Sequence, residues 1–371
     1  MTKKHHRTCC VVTGESPIHS IHTFKNFPIS MSCIDNLDTT ADVFEDMNWG
    51  YSDTGHIQLT DVLDPDLIYK DYHSPGTVGK MWKEHHSMLA NFIKDDIFVN
   101  VLEIGGAAGS LLGNFVDDNK DFTWTIIEPS CNTNINDPRV RSINGYFEDY
   151  EFDTQYDTVV HSHVFEHVYN PVTFLEKINS ILDYGNFHYI SIPNMKYWLE
   201  NGFTNTLSFE HTFYVDEKVL TYLLANAGFK VVEQRSSDHS VVVKAVKSRD
   251  VHVPTTDFLY VKELFETYIA KLTADVAAVN AMIGDSKFYL FGGHIFAQAL
   301  LNMGLKSENI ECILDNDPKK HNKRLYGTNC IVQSPQCLKD VENPIVLLRG
   351  GSYTDEIKDS ILKVNSTTQF I

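Results

Sequence analysis

The chain has no long apolar run, no clustered basic surface, no internal repeat and no cysteine framework, and each absence removes a class of function. No segment approaches the roughly twenty apolar residues that a membrane span needs. The first ten residues, MTKKHHRTCC, are basic but lead into no apolar stretch, so a secretory signal is not expected and a cytoplasmic location is. Seven cysteines, odd in number and scattered, suit a reducing compartment rather than a disulfide scaffold. With a formal net charge of -18 and no clustered basic surface to neutralise a phosphate backbone, indiscriminate nucleic-acid binding is not expected. The local set Lys319, Lys320, Lys323 and Arg324 reads as a solvated turn, with a sugar-nucleotide phosphate as the alternative.

What remains is a chain of 371 residues, long enough for two or three domains. Three stretches differ in texture. Residues 1–70 are irregular, with Trp49, Ile57 and Leu59 as core candidates. Residues 71–250 alternate strand and helix, with strands expected at Val99–Ile104, Trp124–Glu128, Arg141–Asn144, Thr158–His161, Phe187–Ile192, Phe229–Gln234 and Val241–Val246. Helices are expected at Val172–Leu182 and Asp216–Ala227, followed by Gly185 and Gly228 as stops. Residues 251–371 open with a long helical period over Phe258–Ile283. A new strand, a Gly292-Gly293 turn and a helix follow, and then a strand running into Asp315. The fold class is α/β, a doubly wound core with a small N-terminal domain and a second Rossmann-like C-terminal domain.

The segment VNVLEIGGAAG carries the strongest signal. An apolar strand ends at Glu103 and turns through Gly105, Gly106, Ala107, Ala108 and Gly109. About twenty residues on, a second strand ends at Glu128, placed to accept hydrogen bonds from two ribose hydroxyls. The spacing resembles the turn of class I S-adenosylmethionine methyltransferases, with Ala107 in place of the middle glycine. That resemblance implies S-adenosylmethionine as the cofactor, bound at Glu103, Gly105, Ala107, Gly109 and Glu128. Phe147 and Glu148 follow the third strand, where they would flank and hydrogen-bond adenine, and His163 lies close behind the fourth. The Gly292-Gly293 turn of the C-terminal stretch lacks a full glycine fingerprint, so it reads as a packing or phosphate turn before a second cofactor site.

Taken together, the strings GHIQLTDVLDPDLIYKDYHSPGTVGKMWKEHH, HSHVFEHVYNP, SFEHTFY, LFGGHIFAQALLNMGL and ILDNDPKKHNKRLYGT resemble the sugar C-methyltransferases of deoxysugar biosynthesis over nearly the whole chain. The resemblance implies a nucleotide-linked sugar as substrate, and Tyr72 beside the methionine portion of the cofactor. It also implies His211 as the base at a carbon next to a ketone, His167 as the group handling the enolate, and Glu210 at a sugar hydroxyl or orienting the histidine. O- or N-methylation of a sugar nucleotide and a non-catalytic sugar-nucleotide binder are the alternatives. The departures are specific. The family's two C-x-x-C pairs read Cys10-Val11-Val12-Thr13 and Tyr51-Ser52-Asp53-Thr54 here, so no structural zinc site is expected from them. The family tyrosine two residues before the glutamate is Ser208. A monomer or homodimer is expected.

Overall fold

The computed structural model describes residues 3–69, 80–94, 96, 98–115, 121–131 and 135–371. Its centre is a seven-stranded sheet built from β1 (Asn100–Ile104), β2 (Thr123–Glu128), β3 (Val140–Asn144), β4 (Tyr156–Ser162), β5 (Leu182–Pro193), β6 (Phe229–Ser236) and β7 (Ser240–Lys247). The order is β6-β7-β5-β4-β1-β2-β3. Only β7 runs against its neighbours.

Period-two alternation sorts the strand residues into two cores, one on each face. Leu102, Ile127, Val159, Ile190 and Val243 join one cluster, while Val101, Trp124, Ile126, Val160, Tyr189 and Val242 join the other. Both faces are covered, which is why these strands read as nearly continuous apolar runs. The chain crosses from one side of the sheet to the other at β1, between β2 and β4, and that is where a doubly wound sheet opens a crevice. Register places the crevice's residues. Ile104 pairs with both Ile127 and His161, so the turn after Ile104, Glu128 and the segment Ser162–His167 leave the sheet side by side.

Helix Pro171–Ser180 starts on Asn170, whose side chain accepts from the Thr173 N–H at 3.4 Å. It ends two residues before the expected Leu182, and Gly185 is not its stop. Lys247 Nζ closes its C-terminus by donating to the Asn179 and Leu182 carbonyls at 2.8 and 2.7 Å, and β5 begins at once, with Gly185 inside the strand at φ +90°. Helix Glu217–Asn226 is capped by Asp216, which accepts from the Lys218 and Val219 N–H groups at 3.0 Å. The other Asp216 oxygen takes the hydroxyls of Tyr214 and Tyr260, tying in the long helix Leu259–Ile283.

The first stretch is more regular than its sequence indicates. Strands His19–Pro28, Phe44–Tyr51 and Ile57–Leu59 form an antiparallel sheet, and Lys4–His6 pairs with Asp61–Leu63. Bulges between Ser20 and His22 and between Phe24 and Phe27 break the two-residue period, which hides the first strand from a pattern reading. Trp49, Ile57 and Leu59 are fully buried. The tight turns at Cys10–Gly14 and Ser52–Gly55 persist without a thiolate set. Cys10 Sγ meets His56 Nδ1 at 3.4 Å, and His56 Nε2 donates to the Tyr214 carbonyl at 2.9 Å. Burial alone would raise the Cys10 thiol, but His56 and Thr13 pull it down to about 6.

A five-stranded parallel sheet forms the C-terminal part, with Phe288–Phe291 at its centre between Ile310–Leu314 and Ile345–Leu348. Strand Cys33–Ile34 of the first stretch pairs with Arg324–Leu325. Arg324 is therefore no solvated turn residue. It is 1% exposed and forks onto Asp42 with bonds of 2.6 and 2.8 Å. Lys320 pairs with Asp315 at 3.0 Å, and Lys323 with Asp35 at 3.5 Å. Among the described residues, no helix is long and apolar enough to cross a membrane.

Candidate functional site

The turn after β1 is built from positive-φ positions. Gly105 (φ +75°) lies against Val164, whose Cγ2 would be 2.3 Å from an added Cβ, so only glycine fits. Gly109 is at φ +78°, and Ala107 holds φ +43°, a left-handed backbone on a residue with a side chain. Gly106 sits over Glu103, whose Cδ would be 2.8 Å from an added Cβ. This corrects the expected place of Glu103. The side chain is 5% exposed and accepts from Trp124 Nε1 at 2.7 Å, so it supports the turn from beneath instead of facing a ligand. Burial pushes its pKa up to about 7.

Glu128 ends β2, partly exposed, beside the turn. Phe147, expected against adenine, is 2% exposed and packs between Phe152 and Phe174 with ring centroids at 5.6 and 5.0 Å. It belongs to the core, because the one-turn helix Phe147–Asp149 rolls its ring inward while Glu148 stays exposed. Tyr146, which sequence reasoning did not single out, immediately precedes this helix; burial and the carboxylates of Asp66, Asp64, Glu128 and Glu148 raise its pKa. Tyr72 lies outside the described residues.

The segment leaving β4 carries the second half of the site. His163 adopts φ +53°, and its N–H donates to the Ser191 carbonyl at 2.8 Å, bending the chain into the one-turn helix Phe165–His167. Its ring stands among Trp82, His85 and His239. Glu166 is 1% exposed, with Oε1 at 3.6 Å from both His163 Nδ1 and His167 Nε2. His167 Nδ1 lies 3.6 Å from Glu210 Oε2, and the His167 and His211 rings are 5.2 Å apart.

Neighbours on an extended loop point apart, yet Glu210 and His211 both reach His167. The reason is a tight turn in which the His211 N–H donates to the Ser208 carbonyl and the Glu210 N–H to Ser208 Oγ. The loops are zipped by Thr212, whose N–H donates to the Glu166 carbonyl at 3.0 Å and whose hydroxyl donates to that of Val168 at 2.7 Å. Arg7, buried and far off in sequence, donates to the Thr212 and Tyr169 carbonyls at 2.7 and 2.6 Å. Nothing local in its sequence marks that role.

The two histidines are in opposite electrostatic positions. Burial opposes a charge on His167, but Glu166 and Glu210 outweigh it and the pKa is raised. Burial, and then the His167 charge, push His211 down to about 3. His211 Nδ1 faces the Thr206 carbonyl at 3.4 Å and must carry the hydrogen, which leaves Nε2 with its lone pair. The arrangement sets a histidine biased toward its charged form beside one held neutral, the division of labour that acid–base chemistry requires.

In the C-terminal part, the Gly293 N–H donates to Asp315 Oδ2 at 3.0 Å, the same oxygen that meets Lys320. The glycine turn is closed on its own acid. The neighbouring His294 is near enough to add to the lowering of His211.

Residues 78–234 match the family described as a methyltransferase domain. With the strand order and the glycine turn, this makes the protein a methyltransferase of the class I Rossmann-like fold that uses S-adenosylmethionine. Among solved structures it is similar to the N-methyltransferase NodS from Bradyrhizobium japonicum WM9, at 15% identity and a TM-score of 0.36 over 45% of this chain and 96% of that one. It is also similar to magnesium protoporphyrin IX methyltransferase from Synechocystis PCC 6803, at 15% identity and 0.36 over 47% and 90%. A third is the 1,6-didemethyltoxoflavin-N1-methyltransferase of Burkholderia thailandensis, at 16% and 0.34 over 44% and 77%. No curated protein matches the chain in sequence.

Proposed function

We propose that the protein methylates a carbon next to the ketone of a nucleotide-linked deoxysugar. The observation that carries this reading is the pairing of His167, whose pKa Glu166 and Glu210 raise, with His211, which burial holds neutral, their rings 5.2 Å apart. The sugar itself comes from the family resemblance. Gly105, Ala107 and Gly109 would cradle the cofactor's amino-acid end, and Glu128, with Tyr146 and Glu148 nearby, its adenosine. The left-handed backbone at Gly105, Ala107 and Gly109 turns the chain tightly beside Glu128, which supplies the carboxylate for paired hydroxyls. Bound there, S-adenosylmethionine supplies an electrophilic methyl group. His211 Nε2 takes the proton from the acidic carbon, and the His167 cation holds the oxygen on which negative charge develops. Glu210 and Glu166 keep His167 charged and aimed, and Arg7 fixes the two loops that carry the histidines. Residues 1–70, 71–250 and 251–371 would act as three domains, with the nucleotide between the second and third, where His294 and Tyr353 approach His211 and His239.

Ser208 favours a second reading. It is 1% exposed and its Oγ accepts from the Glu210 N–H at 3.0 Å, so this short buried hydroxyl cannot stand in for the family tyrosine, and a hydroxyl acceptor becomes the competing substrate. Incubation with 13C-methyl-labelled cofactor and matched keto- and hydroxy-sugar nucleotides separates the two. Carbon methylation gives a C–CH3 signal that survives acid hydrolysis, and His211→Ala abolishes it. A methyl ether, or no transfer to any sugar nucleotide, refutes the carbon assignment.

A further inference from the structure

A second group of imidazoles adjoins the transfer residues across Glu166. His85 comes from helix Lys80–Lys94, His163 from the exit of β4 and His239 from the turn joining β6 to β7. Their ring centroids are 5.2, 5.3 and 5.1 Å apart. One ring nitrogen of each falls within 4.8 Å of those of the other two. His85 and His239 are 5% and 9% exposed, and the His163 side chain 12%. Trp82 packs its ring against all three at 4.8 to 5.5 Å, forming an apolar wall.

Three convergent imidazoles are an expensive way to fill a core. Each carries a lone pair and an N–H that burial strips of water. Two hydroxyls line the cluster and meet part of that need: Ser162 Oγ sits 2.8 Å from His85 Nε2, and Ser240 Oγ sits 2.8 Å from His163 Nε2 and 2.6 Å from His239 Nδ1. Burial lowers all three pKa values, which keeps the rings in the neutral form that ligates metals.

We infer that His85, His163 and His239 form a binding site for one divalent transition metal ion of the zinc class. Three neutral nitrogens with an open fourth position are the donor set such an ion takes in tetrahedral sites. Metal–nitrogen bonds of about 2.0–2.1 Å set the ligand nitrogens roughly 3.4 Å apart, so each pair closes by about 1.4 Å at most, a matter of side-chain rotation. A carboxylate stands close by. His163 Nδ1 lies 3.6 Å from Glu166 Oε1, so a small closure would complete the carboxylate–histidine–metal arrangement that fixes a ligand's ring, and the same oxygen lies 3.6 Å from His167 Nε2. The ion would thus anchor His163 and Glu166 and, through them, position His167. It neither forms nor breaks a bond in the transfer.

The test uses the untagged full-length chain, stripped with a chelator and titrated with Zn2+ by calorimetry and with Co2+ by visible absorption. One equivalent binds, and Co2+ gives the intense visible bands of a four-coordinate site. His85→Gln and His239→Gln, each checked for native circular dichroism, weaken Zn2+ at least tenfold. His167→Gln leaves the affinity unchanged, which separates this site from the neighbouring set Glu166, His167 and His211, whose donor atoms also lie within 4.8 Å of one another. No bound equivalent, undiminished binding in folded His85→Gln and His239→Gln, or loss of binding in His167→Gln overturns the inference.

Discussion

Acid should unfold this protein earlier than its carboxylates alone would, because two histidines are sealed inside the core sheet. His161 on β4 and His188 on β5 are 0% exposed, their rings 5.0 Å apart, and none of their four ring nitrogens has a hydrogen-bond partner among the described residues. Burial holds His161 down to about 3 and His188 well below 6.5, with His161 adding to the latter. In the unfolded chain both return to about 6.5. The unfolded state therefore binds more protons below that value, and stability present above about pH 6.5 is lost as pH falls toward the folded values. Each such histidine contributes a slope of up to about 1.4 kcal/mol per pH unit, so at about pH 5.5 the pair costs about 3 kcal/mol. That is a large part of a typical stability of about 5–15 kcal/mol. Urea unfolding followed by tryptophan fluorescence at several pH values measures it, with His188→Phe as the comparison because its ring replaces an imidazole already packed on Phe229 at 5.2 Å. The variant's advantage should grow by about 1.4 kcal/mol for each pH unit below 6.5. A difference that does not change with pH would refute the reasoning.

Ala107→Gly should stabilise the protein by about 0.5–1 kcal/mol, because relief of a left-handed alanine exceeds the entropy glycine adds to the unfolded chain; a lowered urea midpoint contradicts this. Glu210→Gln removes one of the two carboxylates that raise His167, so the loss of turnover on the alkaline side should move to lower pH while cofactor affinity holds, as a pH profile of kcat/KM would show. Asp42→Ala leaves the Arg324 guanidinium buried without its carboxylate and should cost about 3–5 kcal/mol in chemical denaturation.

The inner strands of the core sheet were legible because both faces are buried there, so they appear as apolar runs, while the edge strands β3 and β6 are largely exposed; the glycine turn was legible because left-handed backbone admits few residue types. Side-chain direction was not. Glu103 and Phe147 stand in the expected segments, but one points beneath the turn and the other into the core, a choice made by Trp124 and Phe174 from other strands and helices. The antiparallel sheet of the first stretch was obscured by its bulges, and the helix end at Ser180 by a lysine that replaces a glycine stop. Arg7, Arg324 and His239 act through partners far off in the chain, and no local pattern reports such contacts.

Calorimetric titration of S-adenosylhomocysteine into the native chain and into Glu128→Ala addresses the crevice between β1 and β2 most directly. One molecule should bind the native chain, and the variant, with unchanged circular dichroism, should bind at least about tenfold more weakly, the equivalent of about 1.4 kcal/mol. No heat at millimolar ligand, or the same dissociation constant for both proteins, would contradict the placement of the cofactor at that crevice.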